Sequence, residues 1–422
     1  MTRDRRTEQS SADGPAAPDV SDTTGTEPVP GSAAVAGAEE AKETAGQDAW
    51  TYVAGRAADR APTLEDQTGQ AVDQTGGTTG GSTSAAADAA SEMAGHRVIW
   101  EDDFSKGFLT EGPRARWIFL PFGSGVGLDG KATTSRRGLQ VVSGGTNSVS
   151  HQPAFTLTLG QNDPSKLPGN LDHVKWLANV NVKSTGGVLG FDTAPGSEVS
   201  YETWMSGVSY GTDGHPFGNA VDDAQDDLRL ASMGFSAQDL ESGVAFDFYL
   251  TNKSVYVFYE RLPNNRAQLG NYAAFLYTIP VARRSPRDEH HCRISYDRSR
   301  GLARWFLDGK EVLRVDRIGH RLDSRRFMML DHGGVEQTVQ LKQLELSLGL
   351  FTTLDGGRPG RAGSGLVRLT TEAGHYFDPA VGEPTPERFR DEASAPGSRL
   401  WGQGAGLNVR RVRVTRRRTS AG

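Results

Sequence analysis

The feature that most constrains this chain is a two-residue alternation of apolar and polar side chains that restarts repeatedly between Gly-rich turns. In "GLARWFLDGKEVLRV", Leu302, Arg304 and Phe306 alternate with Ala303, Trp305 and Leu307. Asp308–Gly309 then supplies the positive-φ pair that a two-residue hairpin turn requires, and Lys310 to Val315 alternates back. "CRISYDRSRG" before it predicts a third strand of the same meander. A second hairpin is predicted from "GVAFDFYL" (243–250), "TNK" and "SVYVFYERL". Strand geometry places Val244, Phe246, Phe248 and Leu250 on one face and Ala245, Asp247 and Tyr249 on the other. "HRVIWEDDFS", "RWIFLPFG", "GLQVVSGG", "AFTLTLG", "HVKWLANVNVKST", "FMMLDHG", "TVQLKQLELSLG" and "LNVRRVRV" read as further strands, bounded by Gly, Pro, Asn or Asp. So many strands, with 52 glycines and no βαβ rhythm, predict an all-β antiparallel sandwich or barrel.

The 422 residues are used unevenly. Residues 1–95 hold 6 Lys/Arg against 16 Asp/Glu, a charge of −10, whereas the remainder holds 40 against 36, a charge of +4. The first segment is rich in Ala, Gly, Thr, Ser, Asp and Glu and has one Trp, Trp50. It offers too little apolar area to offset chain entropy, so 1–95 is expected to be a disordered acidic low-complexity tail, with a weak helix around "TYVAGRAADRA". Residues 96–422 are expected to form the folded body, with polar insertions near 209–234 and 355–400 and a short helix over "VDDAQDDLRLAS". A single cysteine, Cys292, rules out an internal disulfide and reads as a buried thiol. "MTRDRRTEQSSADG" has no apolar stretch of a secretory leader, and no run approaches the roughly 20 apolar residues of a membrane span. The expectation is a cytoplasmic location, with secretion left open.

Several segments, in order, resemble the concanavalin A-like jelly roll of family 16 glycoside hydrolases. "VIWEDDFS" is similar to the family's opening strand, "SYETWMSG" to its Phe-Glu-x-Arg-Met strand, and "DEHHCRISYDRSRGLARWFLDGKEVLRV" to its His-led hairpin with Trp and Asp-Gly. "LNVRRVRV" is similar to its closing strand. The chain also resembles uncharacterised actinobacterial proteins of this fold. The resemblance covers roughly 96–417 and implies a jelly-roll β-sandwich whose concave face holds a glycan. The family's catalytic strand reads Glu-x-Asp-x-x-Glu, in which the two outer carboxylates flank the scissile bond. If Asp247 matches the central Asp, the nucleophile position is Ala245 and the acid position Leu250, neither of which can do that chemistry. The resemblance therefore implies a carbohydrate-binding or catalytically degenerate relative.

The alternative is an enzyme with a rearranged carboxylate site. Glu202 in "SYETWMSG" is expected on a strand near the concave face, and Glu260 lies on the strand paired with Asp247. Carboxylates at different depths can have their proton affinities pushed apart, so the three could act as acid and base; equally, they read as ordinary paired or solvated carboxylates. Trp204, Tyr210, Tyr249 and Tyr256 could stack on sugar rings or fill the core. His332 in "LDHGG" could face the cleft or be structural. Asp222, Asp223, Asp226 and Asp227 lack EF-hand spacing. There is no His-Glu-x-x-His arrangement, no Gly-rich phosphate cradle and no Gly-x-Ser-x-Gly elbow, so no metal or cofactor is implied. "RRVRVTRRR" could dock on an anionic partner, but reads more simply as the wet face of a strand and a basic end. A nucleic acid is not expected, and the sequence leaves the oligomeric state open.

Overall fold

The computed structural model describes residues 95–122, 125–161, 172–358, 364–372, 375–376 and 387–419. The acidic segment up to residue 94, with its expected disorder and weak helix, lies outside the described residues, as does most of 359–386. Two large sheets are built from β1 (Arg97–Asp102), β2 (Trp117–Ile118), β3 (Gly130–Ser135), β4 (Gly138–Ser143), β5 (Val174–Val180), β6 (Phe191–Asp192), β7 (Ser197–Tyr210), β8 (Ser232–Asp239), β9 (Val244–Leu250), β10 (Ser254–Arg261), β11 (Phe275–Arg283), β12 (His290–Asp297), β13 (Leu302–Leu307), β14 (Lys310–Val315), β15 (Met328–Asp331), β16 (Gln343–Phe351) and β17 (Gly404–Arg418). The smaller sheet has eight strands in the order β14-β13-β12-β7-β17-β4-β3, with β1 also on β17. The larger has nine, in the order β15-β11-β10-β9-β8-β16-β5-β2, with β6 also on β16. Every pairing within these two sheets is antiparallel. The fold is therefore the all-β, jelly-roll type of sandwich that the alternation predicts.

The alternation decides what lies between the sheets. Phe246, Phe248 and Leu250 of β9 join Leu344, Leu346, Leu348 and Leu350 of β16 in one core with Tyr201, Ile294, Trp305 and Val414 of the opposite sheet. Two side chains tie the layers by hydrogen bonds: Trp305 Nε1 donates to the Asp247 carbonyl at 3.2 Å, and the Tyr201 hydroxyl to the Leu344 carbonyl at 3.1 Å. The turn between β13 and β14 has φ of 51° at Asp308 and 87° at Gly309, as its sequence requires.

The expected helix over 221–232 is absent. That stretch runs as turns into β8, which begins at Ser232. Its carboxylates are used as loop anchors: Asp226 accepts from the hydroxyls of Thr251 and Ser254, and Asp227 is ion-paired to Arg229 at 2.6 Å. Side chains that satisfy loop hydroxyls and guanidinium groups in this way compete with helix formation. Among the described residues, no helix is long and apolar enough to cross a membrane.

Candidate functional site

The outward side of the larger sheet is laid out by strand register in three rows. One row reads Leu177, Gly349, Gly234, Tyr249 and Tyr256. The next reads Asn179, Ser347, Ser236, Asp247, Phe258 and Thr278. The third reads Glu345, Gln238, Ala245, Glu260 and Leu276. A chain whose β9 alternates without a register shift on either side must place Asp247 beside this surface and Leu250 in the core.

The first row is hollowed by its glycines. A Cβ at Gly349 would lie 2.1 Å from the Phe351 ring, and one at Gly234 would lie 2.9 Å from the Tyr249 ring. The missing side chains let these rings lie close to the sheet. Tyr249 is stacked on Phe258 at 4.0 Å and meets Phe351 at 4.6 Å, so both its faces are occupied. Beside this stack lies a cavity of about 90 Å³, lined by Leu177, Ser236, Gln238, Asp247, Tyr249, Phe258, Glu260, Leu276 and Ser347 among others. That is room for roughly six water molecules. A second space of about 30 Å³ adjoins it and is lined by Arg261, Leu330, His332 and His375; His173, Glu260, Leu262 and Asn264 border both.

Burial raises the proton affinity of the carboxyl groups here. Burial raises the Asp247 pKa to about 7, and hydrogen bonds with Ser236 and Glu260 offset only part of that. Burial and the adjacent Asp247 push Glu260 well above the usual carboxyl range, and the two groups share a hydrogen bond. Glu345 is raised to about 8, chiefly by burial, although Gln238 Nε2 donates to its Oε1 at 2.6 Å. Asp247 Oδ2, Asn179 Oδ1 and Thr278 Oγ1 are buried without a hydrogen-bond partner within the protein. All three belong to the second row, where buried polar atoms ordinarily find a partner.

His173 and Asp355 were not singled out from the sequence. His173 precedes β5 and bonds Asp355 Oδ1 through Nε2 at 2.5 Å. Burial opposes a charge on the imidazole, but the Asp355 carboxylate outweighs it and holds the pKa above the ordinary value. Burial likewise works against the Asp355 charge, and His173 overcomes it, keeping that pKa low.

Residues 101–418 match a family of unknown function, DUF6081. The chain belongs to that family. It is 30% identical over 312 residues to "Uncharacterized protein L829" of Acanthamoeba polyphaga mimivirus, an alignment covering 60% of this chain and 66% of the viral protein, so the chain spans about two thirds of that relative's length. Among solved structures it is similar to an endo-beta-1,3-glucanase from Pyrococcus furiosus, with 12% identity, 76% of this chain and 94% of the other covered, and a TM-score of 0.34. It is also similar to the carbohydrate-binding module CBM66 from Bacillus subtilis, with 10% identity, 58% and 96% covered, and a TM-score of 0.24.

For this DUF6081 member the residues singled out in the sequence divide between the two sheets. Asp247, Glu260 and Tyr249 meet in the larger cavity, and His332 lines the adjoining space, its Nδ1 2.5 Å from the His375 carbonyl. Burial lowers the His332 pKa to about 3 and so keeps the ring neutral. Glu202, Trp204 and Tyr210 are instead on β7 of the smaller sheet, so the expectation that Glu202 joins Asp247 is corrected: β7 pairs with β12 and β17 and lies in the other layer. Glu202 accepts from His291 and from Arg413, each at 2.9 Å, and Trp204 is stacked on His291 at 4.2 Å. Among the described residues, no three His, Cys, Asp or Glu side chains are grouped to hold a metal ion.

Proposed function

We propose that this chain binds a glycan in the groove over the larger sheet, as a carbohydrate-binding sandwich without the retaining cleavage machinery of the glycanases it resembles. The observation that carries the reading is a cavity lined by both hydrogen-bonding and apolar side chains. Asp247 and Glu260 accept hydrogen bonds and, when protonated, also donate, while Ser236, Ser347 and Gln238 do both. Leu177, Leu276, Tyr249 and Phe258 supply apolar surface to the same cavity. This pairing suits a sugar, which presents hydroxyls on its rim and C–H groups on its faces. The cavity volume fits the edge of one sugar ring, so recognition would centre on a chain end or a single unit.

Retaining cleavage calls for two carboxyls about 5 Å apart with the anomeric carbon between them. Asp247 and Glu260, joined by a hydrogen bond, leave no such gap. Ala245 supplies no nucleophile, and Leu250 faces the sandwich core. The test is calorimetric titration of the full-length chain with neutral oligosaccharides of different linkage. Binding by at least one, weakened about tenfold or more by Asp247→Ala, is expected. Silence across the whole panel would overturn the reading.

A further inference from the structure

Resting on the glycan reading, we infer that the sugar this groove selects carries a free primary amine, whose ammonium group enters the larger cavity and bonds Asp247. Strand pleating stands the Asp247 side chain on the cavity floor. Its cross-strand neighbours Ser236 and Phe258, its strand neighbour Tyr249 and its diagonal neighbours Gln238 and Glu260 all line that space, whereas Phe246 and Phe248 point into the core. Asp247 is 1% exposed, and its Oδ2 has no hydrogen-bond partner within the protein. As a carboxylate oxygen it calls for a donor. Gln238 cannot serve, because its Nε2 is already given to Glu345 at 2.6 Å.

The charges around the cavity say which donor. Asp239, Asp247 and Glu260 line it, and among the described residues no Lys or Arg does. Its one basic side chain, His173, is committed to Asp355 at 2.5 Å. Arg261 lines only the adjoining space, with its guanidinium 4.0 Å from the Tyr272 ring centre and its Nε donating to the Ser242 carbonyl at 3.3 Å. The smaller sheet shows what the chain does with carboxylates that need no guest. Glu198 and Glu202 are as deeply buried as Asp247, and there Arg304 and Arg417 cover the first while Arg413 and His291 cover the second. A buried carboxylate is costly without such a partner, so at Asp247 the cation comes with the ligand. Glu260 shares a hydrogen bond with Asp247, which keeps a proton between the two, and the guest meets a single negative charge. An ammonium suits this place better than a metal ion. Among the described residues no three His, Cys, Asp or Glu side chains are grouped to hold a metal. An ammonium has three N–H donors and no acceptor, so one carboxylate oxygen and neighbouring hydroxyl oxygens satisfy it.

The experiment is calorimetric titration of the full-length chain at pH 7 with three β-1,4-linked trimers that differ only at C2: glucosamine, N-acetylglucosamine and glucose. The glucosamine trimer is expected to bind at least about tenfold more tightly than either neutral trimer, the worth of one charged hydrogen bond. Asp247→Asn keeps the shape without the charge and should bring the three trimers within about twofold of one another. Trp204→Ala, on the smaller sheet, should keep the full preference. A glucose trimer bound as tightly as the amine by the wild-type chain overturns the inference and leaves the glycan reading standing. A preference that survives Asp247→Asn also overturns it, because the amine then lies elsewhere. Silence towards all three trimers overturns the inference, and silence across neutral oligosaccharides of other linkages as well removes the glycan reading with it. If the Asn variant does not fold, the wild-type order of affinities decides.

Discussion

The outer faces of the two sheets carry the same residue type in opposite states. On the larger sheet Asp247, Glu260 and Glu345 sit among amides, hydroxyls and one another, and burial raises their proton affinity. On the smaller sheet Glu198 and Glu202 are as deeply buried as Asp247 and Glu345 but sit under cations. Arg304 meets Glu198 at 2.5 Å, and Arg413 and His291 meet Glu202. Burial raises the Glu202 pKa, yet the bonds from His291 and Arg413 more than reverse it. Depth alone thus does not determine charge; the neighbours brought by strand pairing do. The "RRVRVTRRR" strand supplies part of this cover, with Arg411, Arg413 and Arg417 engaged by Glu101, Glu202 and Glu198, while Arg304 and His291 come from β13 and β12.

The comparison breaks most sharply with pH. Glu345 has a folded pKa of about 8 against 4.5 as a free side chain, so its contribution is fully present below pH 4.5 and is lost as the pH rises towards 8. Glu345→Gln should therefore be more stable than wild type at pH 8.5, by on the order of 5 kcal/mol. At pH 5 the two should lie within about 1 kcal/mol. Urea denaturation at both values reads this, and an unchanged difference between them would show that Glu345 is charged in the fold. Glu202 runs the other way: its folded pKa is lowered, so its contribution is present above the free value and is lost as pH falls. Glu202→Gln should cost about 3 kcal/mol at pH 7, because Arg413 and His291 lose their anion, and the cost should shrink towards pH 3. A loss that persists undiminished in acid would count against the ion pairing. The smallest effect is expected at Trp204, which is half-buried over His291 with Arg411 4.6 Å from its ring. Trp204→Ala should lower stability by about 1 kcal/mol and leave sugar titrations unaltered; weakened binding would move the ligand to the smaller sheet.

Much of the sandwich was legible because alternation is a local property. The β9–β10 and β13–β14 hairpins, and the separation of Asp247 from Phe246 and Phe248, follow from residues adjacent in the chain. Asp247 and Glu260 come together through that same hairpin. Glu345, His173 and Asp355 do not, since they reach the groove through the order β9-β8-β16-β5, which links strands distant in sequence. "TVQLKQLELSLG" nevertheless held a signal: Glu345 is a carboxylate on a strand whose other side is wholly apolar. Glu202 was assigned to the wrong layer for the same reason, as β7 carries the expected alternation and only its long-range partners reveal its sheet. The turns before β8 were misread because acidic residues favour helix starts in isolation, whereas Asp226 and Asp227 here find hydroxyl and guanidinium partners far along the chain.

Gly234 and Gly349 leave a shallow trough that two aromatic rings occupy. Floor height along the groove is consequently set by what is missing from the backbone. A methyl group at Gly349 would have to lift the Phe351 ring, and one at Gly234 would press on both the Tyr249 ring and the Phe248 carbonyl oxygen. Exchange at these two places alone would change the gauge of the groove while leaving Asp247, Ser236 and Ser347 in their register.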